Sequence, residues 1–485
     1  MGEFRAGIAS IPVPPPLGVD LVGFLRRHVP VRGHGQPLEV TALVVDDGHR
    51  RATFVGLDLL GTPGESGRRM REAIAESSGS QIDAVFVNCQ HTHAAPPPPG
   101  MLKLGGLVHE LTPDEITYWD ALVQSAATAA AQAANSLRRA RVGAAKSALE
   151  DLSVNRRERL RDGTTILGWN KDGECDRTVS SLRIDGDDGS PIAAVVSFAC
   201  HPVVVGPDVA EASSDYVGAL RSAVRTWTGA DCLFLQGCAG NVNPLESFME
   251  QPGPEVSFGR RLAIAALGAY HDANTLPRRL ERTEYRSAVP IARYRWLTDA
   301  DAGVRIDFAS KNLELPLDPH PSLAEISSLR SDLEAQVREL RDRGCGPEVW
   351  NPVDIHAAWA ASVENRIRSG TGERTVSAPV QVIRIGHIAV VGLPGEPFNE
   401  IGSRIKRTSP AQFTICCGYT NAAPGYLPTT DEHAYGGYEV SLSHRHYGNV
   451  APISVGCDRL LEEAATDLLQ RLFQDDEAFK SSTEH

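Results

Sequence analysis

The segment Asn88-Cys89-Gln90-His91-Thr92-His93 closes a strand-like apolar run, Ala84 to Val87, with two histidines separated by one residue. On an extended backbone, side chains two positions apart share a face, so His91 and His93 are expected to point at one spot. Neutral imidazole is the commonest protein ligand for zinc, and a catalytic zinc takes about three or four protein groups with a position left open for water. The pair is therefore half a site, and the other half must come from elsewhere in the chain.

Four further segments place ligand-type side chains at strand ends or in tight turns. The apolar run Val195-Val196-Ser197-Phe198-Ala199-Cys200 delivers His201 where Pro202 interrupts strand pairing; both a satisfied polar histidine and a metal ligand fit this position. In Val391-Gly392-Leu393-Pro394-Gly395-Glu396-Pro397, Glu396 follows an apolar strand and a Pro-Gly turn, at the expected start of a helix. It reads either as a favourable charge at a helix N-terminus, worth about 0.3 to 1 kcal/mol, or as a carboxylate aimed by a fixed backbone, and the second reading is preferred. The strand Asp231 to Gln236 opens into Gly237-Cys238-Ala239-Gly240-Asn241-Val242-Asn243-Pro244. The amides of Gln236, Asn241 and Asn243 there suit a substrate carbonyl. No Gly-Lys-Ser/Thr follows, so it is not a phosphate-binding loop. A long loop, Cys417 to Thr430, carries Tyr426.

The elements that must position these groups alternate between strand and helix. Thr41 to Val45, Ala52 to Asp58, Ala84 to Val87, Ile192 to Cys200, Asp231 to Gln236, Val380 to Ile385, Ile388 to Leu393 and Phe413 to Cys416 read as strands, several apolar throughout and so buried on both faces. Helices are expected over Gly64 to Glu76, Pro113 to Asn135, Val217 to Thr228, Glu255 to Asp272 and Asp458 to Phe473. This is an α/β pattern of mixed sheets flanked by helices, without the regular alternation of an eightfold barrel. Leu323, Ile326, Leu329, Leu333, Val337 and Leu340 fall at spacings of three and four, an amphipathic helix stopped by Gly344 and Gly346. Residues 291–378 are accordingly expected to form a helical insertion, either a lid or a structural hairpin, within a single domain spanning 1–485.

The bulk composition fits a globular enzyme: of 485 residues, 42% are apolar and 22% charged. A net charge of −13 without a basic stripe argues against nucleic acid as a partner. No run reaches the roughly 18 apolar residues of a membrane span, and Met1 to Pro16 lacks a signal-peptide pattern. A cytoplasmic location without stable membrane insertion is the expectation. Nine scattered cysteines without a Cys-x-x-Cys pair read as thiols rather than as disulfides or a thiolate zinc site.

Taken in order, His91-Thr92-His93, Asn155-Arg156, Phe198-Ala199-Cys200-His201, the Gln236 to Pro244 turn, Pro394-Gly395-Glu396 and the Asn421 to Thr430 loop resemble the neutral/alkaline ceramidase superfamily, over about Ala6 to Tyr447. The resemblance implies a ceramidase-like catalytic domain and a zinc (Zn2+) amidase. It implies His91, His201, Glu396 and Tyr426 as metal ligands, His93 as a proton-transfer histidine, and Arg156 as a substrate or oxyanion contact. Asp58 and Asp215 match family positions too, and either orient the ligating imidazoles or serve as turn and capping residues; Gln236 is placed with them behind the ligands.

Three departures bear on chemistry and substrate. Where ceramidases carry Gly-Asp-x-Ser-Pro-Asn, this chain has Gly240-Asn241-Val242-Asn243-Pro244-Leu245, and an amide such as Asn243 has no nucleophilic form. No side-chain nucleophile is needed if zinc lowers the pKa of water to about 7. The sequence runs about 40 residues past Tyr447, and the expectation is a ceramidase-like domain that lacks the C-terminal β-sandwich of secreted ceramidases. Tyr435-Gly436-Gly437-Tyr438-Glu439 stands where the family has Gln-x-Tyr-Glu. The expectation is a hydrolase of an amide (N-acyl) bond in a small or lipid-like substrate other than ceramide. An ester or lactone hydrolase, a metal-stabilised binding homologue without activity, and an amidohydrolase barrel are the rival readings. Acyl group, amine and oligomeric state are not legible in the sequence.

Overall fold

Alternation along the strand Glu39–Asp46 reveals how the layers are built. Val40, Ala42 and Val44 sit in one core with residues of four helices, whereas Leu43 and Val45 sit in another with residues of a second sheet. The computed structural model describes residues 3–25, 30–100, 111–250, 253–276, 278–283, 288, 291–298 and 303–481. Its larger sheet has eight strands in the order Asp231–Gln236, Pro191–Phe198, Thr178–Gly186, Arg138–Ala148, Arg5–Pro12, Glu39–Asp46, Arg51–Leu57 and Val85–Cys89. The pairs at its two edges are parallel and the others antiparallel. Helices α1 (Gly64–Ser78), α2 (Pro113–Asn135), α3 (Tyr216–Thr228) and α4 (Glu255–Asp272) cover its outer face through residues such as Met70, Trp119, Tyr216 and Phe258. A capping box fixes the start of α2, with Thr112 accepting from the Glu115 amide and the Glu115 carboxylate accepting from that of Thr112.

The smaller sheet runs Ile306–Pro316, Thr375–Ile385, Ile388–Gly392, Phe413–Cys417, its last pair parallel. Its inner face, including Ile383, Ile385, Ile388, Val390 and Ile415, packs on Phe54, Phe86, Val195 and Leu235 of the larger sheet. Its outer face meets helices α5 (Leu323–Asp342), α6 (Pro347–Ser369), α7 (Asn399–Thr408) and α8 (Cys457–Ser481). The result is a four-layer arrangement of helices, two stacked mixed sheets and helices, which agrees with the expected α/β class and replaces the barrel alternative with open sheets.

The helical insertion needs redrawing. Ile306–Pro316 and Thr375–Ile385 pair over their full lengths, so the inserted piece is the α5–α6 pair between them. Residues 299–302 of the expected insertion lie outside the described residues. No helix among the described residues is long and apolar enough to cross a membrane, and the cysteines are free thiols.

Candidate metal centre

The candidate ligands gather where the two sheets join. Isolated bridges Asn88↔Thr420 and Gly237↔Cys417 tie the carboxyl ends of strands from both sheets together. The chain leaves Val85–Cys89 with the Gln90 amide donating to the Leu57 carbonyl (2.8 Å) and the His91 amide to that of Leu59 (2.9 Å). His91 then takes φ 67°, a left-handed conformation costly for a residue with a Cβ. The expected extended geometry is corrected by this turn, yet the two imidazoles still meet, with ring centroids 5.0 Å apart. Gly23 makes room for this: a Cβ there would collide with the His93 ring.

His201 follows Pro191–Phe198 and is held by its own backbone amide, which donates to the Val242 carbonyl (3.0 Å). The preceding carbonyl, that of Cys200, accepts from Gln236 Nε2 and Tyr216 Oη, both at 2.6 Å. Gln236 therefore stands behind His201 and fixes the peptide before it. Nδ1 of His201 lies 2.7 Å from the Ala239 carbonyl, and Nδ1 of His91 2.5 Å from that of Leu60. A carbonyl only accepts, so each Nδ1 carries the hydrogen and each Nε2 is left with a lone pair.

Both Nε2 atoms face one carboxylate oxygen. Oε2 of Glu396 lies 3.0 Å from Nε2 of His201 and 3.2 Å from Nε2 of His91. Glu396 does not start a helix, as the sequence led one to expect; α7 begins at Asn399, and Glu396–Pro397 instead form a two-residue parallel pair with Tyr426–Leu427, Glu396 opposite Tyr426. The turn before it needs glycine, since Gly395 has φ 60° and a Cβ would strike the Gly425 carbonyl. Two imidazole lone pairs and an anionic oxygen at this range repel one another unless a proton or cation lies among them. Mixed nitrogen and oxygen donors suit zinc. His93 adds a further imidazole: the ligand atoms of His91, His93 and His201 all lie within 4.8 Å of one another.

Arg156 links the cluster to its surroundings. It donates from Nε to Glu439 Oε1 (2.7 Å), from Nη1 to Asn243 Oδ1 (3.1 Å) and from Nη2 to Tyr426 Oη (2.8 Å), with Nη1 also 3.2 Å from His201 Nε2. Burial works against this guanidinium's charge, but Tyr426, Glu439 and Glu396 outweigh it and hold the group charged. Burial, helped by the Arg156 charge, brings the His201 imidazole down to about 4. Burial and then the neighbouring imidazoles of His91 and His201 take His93 well below its usual range. Burial alone would raise the Glu396 carboxyl; a positive charge or hydrogen-bond donor on the side where His91 and His201 stand prevails and holds it well below the carboxylate norm. The Tyr426 phenol is lifted by burial, against the pull of Arg156.

Three expected residues do other work. The carbonyls of Leu60 and Ala239, rather than Asp58 and Asp215, orient the imidazoles. Asp58 is committed to the buried Arg221 (2.7 Å) and the Glu39 amide, and Asp215 caps α3 by accepting from the Tyr216 and Val205 amides. Asn241 turns away toward α7, donating to Glu400 and accepting from the Asn399 amide, and contributes only its carbonyl, which receives the Arg156 amide. Asn243 contacts the site through Arg156. Sequence reasoning missed Tyr447, whose hydroxyl donates to Glu396 Oε1, and Tyr419, whose ring lies 4.3 Å from that of His91. It treated Glu439, which bridges Arg156 and Arg157, only as a departure from the family pattern.

No family model matches the chain. A neutral ceramidase of Mycobacterium tuberculosis is 35% identical over 85 residues, which span 16% of this chain and 13% of that protein's length. Among solved structures, neutral ceramidase from Pseudomonas aeruginosa matches with TM-score 0.64 at 17% identity, over 97% of this chain and 75% of that one. A ceramidase complexed with C2 matches with TM-score 0.63 at 16% identity, over 98% and 76%. Near-complete superposition at such low identity is a statement about architecture: this chain has the neutral ceramidase fold.

Proposed function

We propose that the chain is a zinc-dependent hydrolase that cleaves an amide (N-acyl) bond. The observation that carries the reading is the convergence of His91 and His201 Nε2 on one oxygen of Glu396, with each Nδ1 already committed to a carbonyl. In this reading His91, His201, Glu396 and Tyr426 hold the ion and His93 stands beside it. Zinc bound there would polarise the substrate carbonyl and lower the pKa of a water molecule. His93, beside His91 and His201, accepts a proton from water as it attacks the carbonyl and passes it to the leaving amine. Arg156 stabilises the developing negative oxygen and keeps the Tyr426 hydroxyl in place. Asn243 takes no covalent part; its carbonyl oxygen steers Arg156.

The test pairs metal analysis with turnover on a panel of N-acyl amines, N-acyl amino acids and esters. The reading expects amide hydrolysis that a chelator removes and zinc restores. Full activity in metal-free protein would overturn it, and turnover of esters alone would move the bond class.

A further inference from the structure

The cavity beside the cluster is small, about 60 Å³, and one of its sides is an aromatic wall of Tyr426, Tyr438, His446 and Tyr447. The wall is stacked and braced. Tyr438 and His446 rings are stacked 5.6 Å apart at an angle of 29°, with Tyr438 Oη 3.2 Å from His446 Nδ1, and Tyr426 stands edge-on to Tyr438 at 5.7 Å. Behind His446 comes His356 of the inserted helix α6, its ring stacked at 5.2 Å and its Nε2 3.1 Å from that of His446. Helix α6 grips the same segment twice more, through Trp359 Nε1 to the Asn449 carbonyl (2.8 Å) and Arg366 to the Gly448 carbonyl (2.7 Å). Helix α6 of the insertion thus braces one wall of the pocket.

The cavity holds more than a single water molecule but is small for an organic ligand. Pockets for drug-sized ligands run to roughly 300–1,000 Å³. Resting on the hydrolase reading above, we propose that the Tyr438–His446 wall, held by His356, limits this site to substrates with a short acyl group and excludes long acyl chains. Tyr438 and His446 act by occupying the space a longer chain would need. His356 is a positioning residue, acting through His446.

Straight-chain hydroxamic acids of increasing length, titrated calorimetrically into the zinc-loaded protein, read the wall without requiring turnover. Each methylene that finds apolar contact tightens binding about fourfold. The proposal expects affinity to rise over the first few carbons and then level or fall. In His446→Ala, or in the milder His356→Ala, the longest bound chain should lengthen and the affinity for an eight-carbon probe relative to a two-carbon probe should rise about tenfold or more. Affinity that climbs steadily with chain length in the unmodified protein would overturn the proposal. So would binding of no probe, or a length profile unmoved by both variants. The matching N-acyl amides are assayed alongside: a short-chain binding preference without hydrolysis would overturn the catalytic reading and leave the pocket reading standing.

Discussion

The hydroxyl of Tyr447 donates to one carboxylate oxygen of Glu396 while the other oxygen faces His91 and His201. That contact leaves the other oxygen facing the two imidazoles, the one a metal held there would meet. Partners of ligating carboxylates typically contribute about 10- to 100-fold in metal affinity. Tyr447→Phe should therefore weaken zinc binding by about that factor while leaving the fold intact, measured by competition with a chelating dye. Unchanged affinity would mean that Tyr447 plays no part in holding Glu396.

Arg156 gathers Glu439, Asn243, Tyr426 and His201 around one guanidinium, a fork that lysine cannot reproduce. Arg156→Lys should lower kcat by about a hundredfold or more, with a smaller effect on KM. Asn243→Ala should cost only about tenfold, the scale of one lost supporting hydrogen bond. Complete inactivity of the alanine variant, with folding retained, would return Asn243 to the chemistry.

Asp58 belongs to the core rather than to the site. Its carboxylate faces the fully buried Arg221, and stripping one partner from such a pair costs about 3 to 5 kcal/mol. Asp58→Ala should lower the urea midpoint accordingly and leave zinc affinity within error. The reverse pattern, stable protein with weakened metal binding, would reinstate Asp58 as an orienting residue.

Three histidines on or beside the pocket wall should make the protein acid-sensitive. Burial, assisted by Arg445, takes His356 to about 4 and His444 to about 3, and burial with His356 takes His446 to about 3. Unfolded histidine titrates near 6.5, so below that value the unfolded chain binds more protons than the folded one. Stability from these groups is complete above about pH 6.5 and is lost as the pH falls toward 3 to 4, by on the order of 1 kcal/mol per histidine after allowing for partial exposure. Urea midpoints should fall between pH 7 and pH 5, and less so in His446→Asn. An equal pH dependence in both proteins would contradict this.

The strands that lead into the candidate ligands were legible because each is an apolar run ended by a residue able to bind metal, as with Phe198-Ala199-Cys200-His201. Arg138–Ala148, built of small and charged residues with an irregular burial pattern, offered no such period. Helix α6 begins directly after Gly344 and Gly346, which read as stops; Pro347 opens it in the first turn, where a helix tolerates proline, while Pro352 lies inside it. The groups that orient His91 and His201 are backbone carbonyls, which leave no side-chain signature, so Asp58 and Asp215 attracted that role instead. Tyr447 and Glu439 lie in a segment of short 3-10 and π turns where no periodicity points to a partner.

The most direct test is zinc stoichiometry by elemental analysis on purified protein, run beside His91→Ala, His201→Ala and Glu396→Ala with circular dichroism confirming that each is folded. One zinc per chain, lost in all three folded variants, is the predicted result. An unmodified protein that binds no zinc, or variants that all retain it, would contradict a centre built from those side chains.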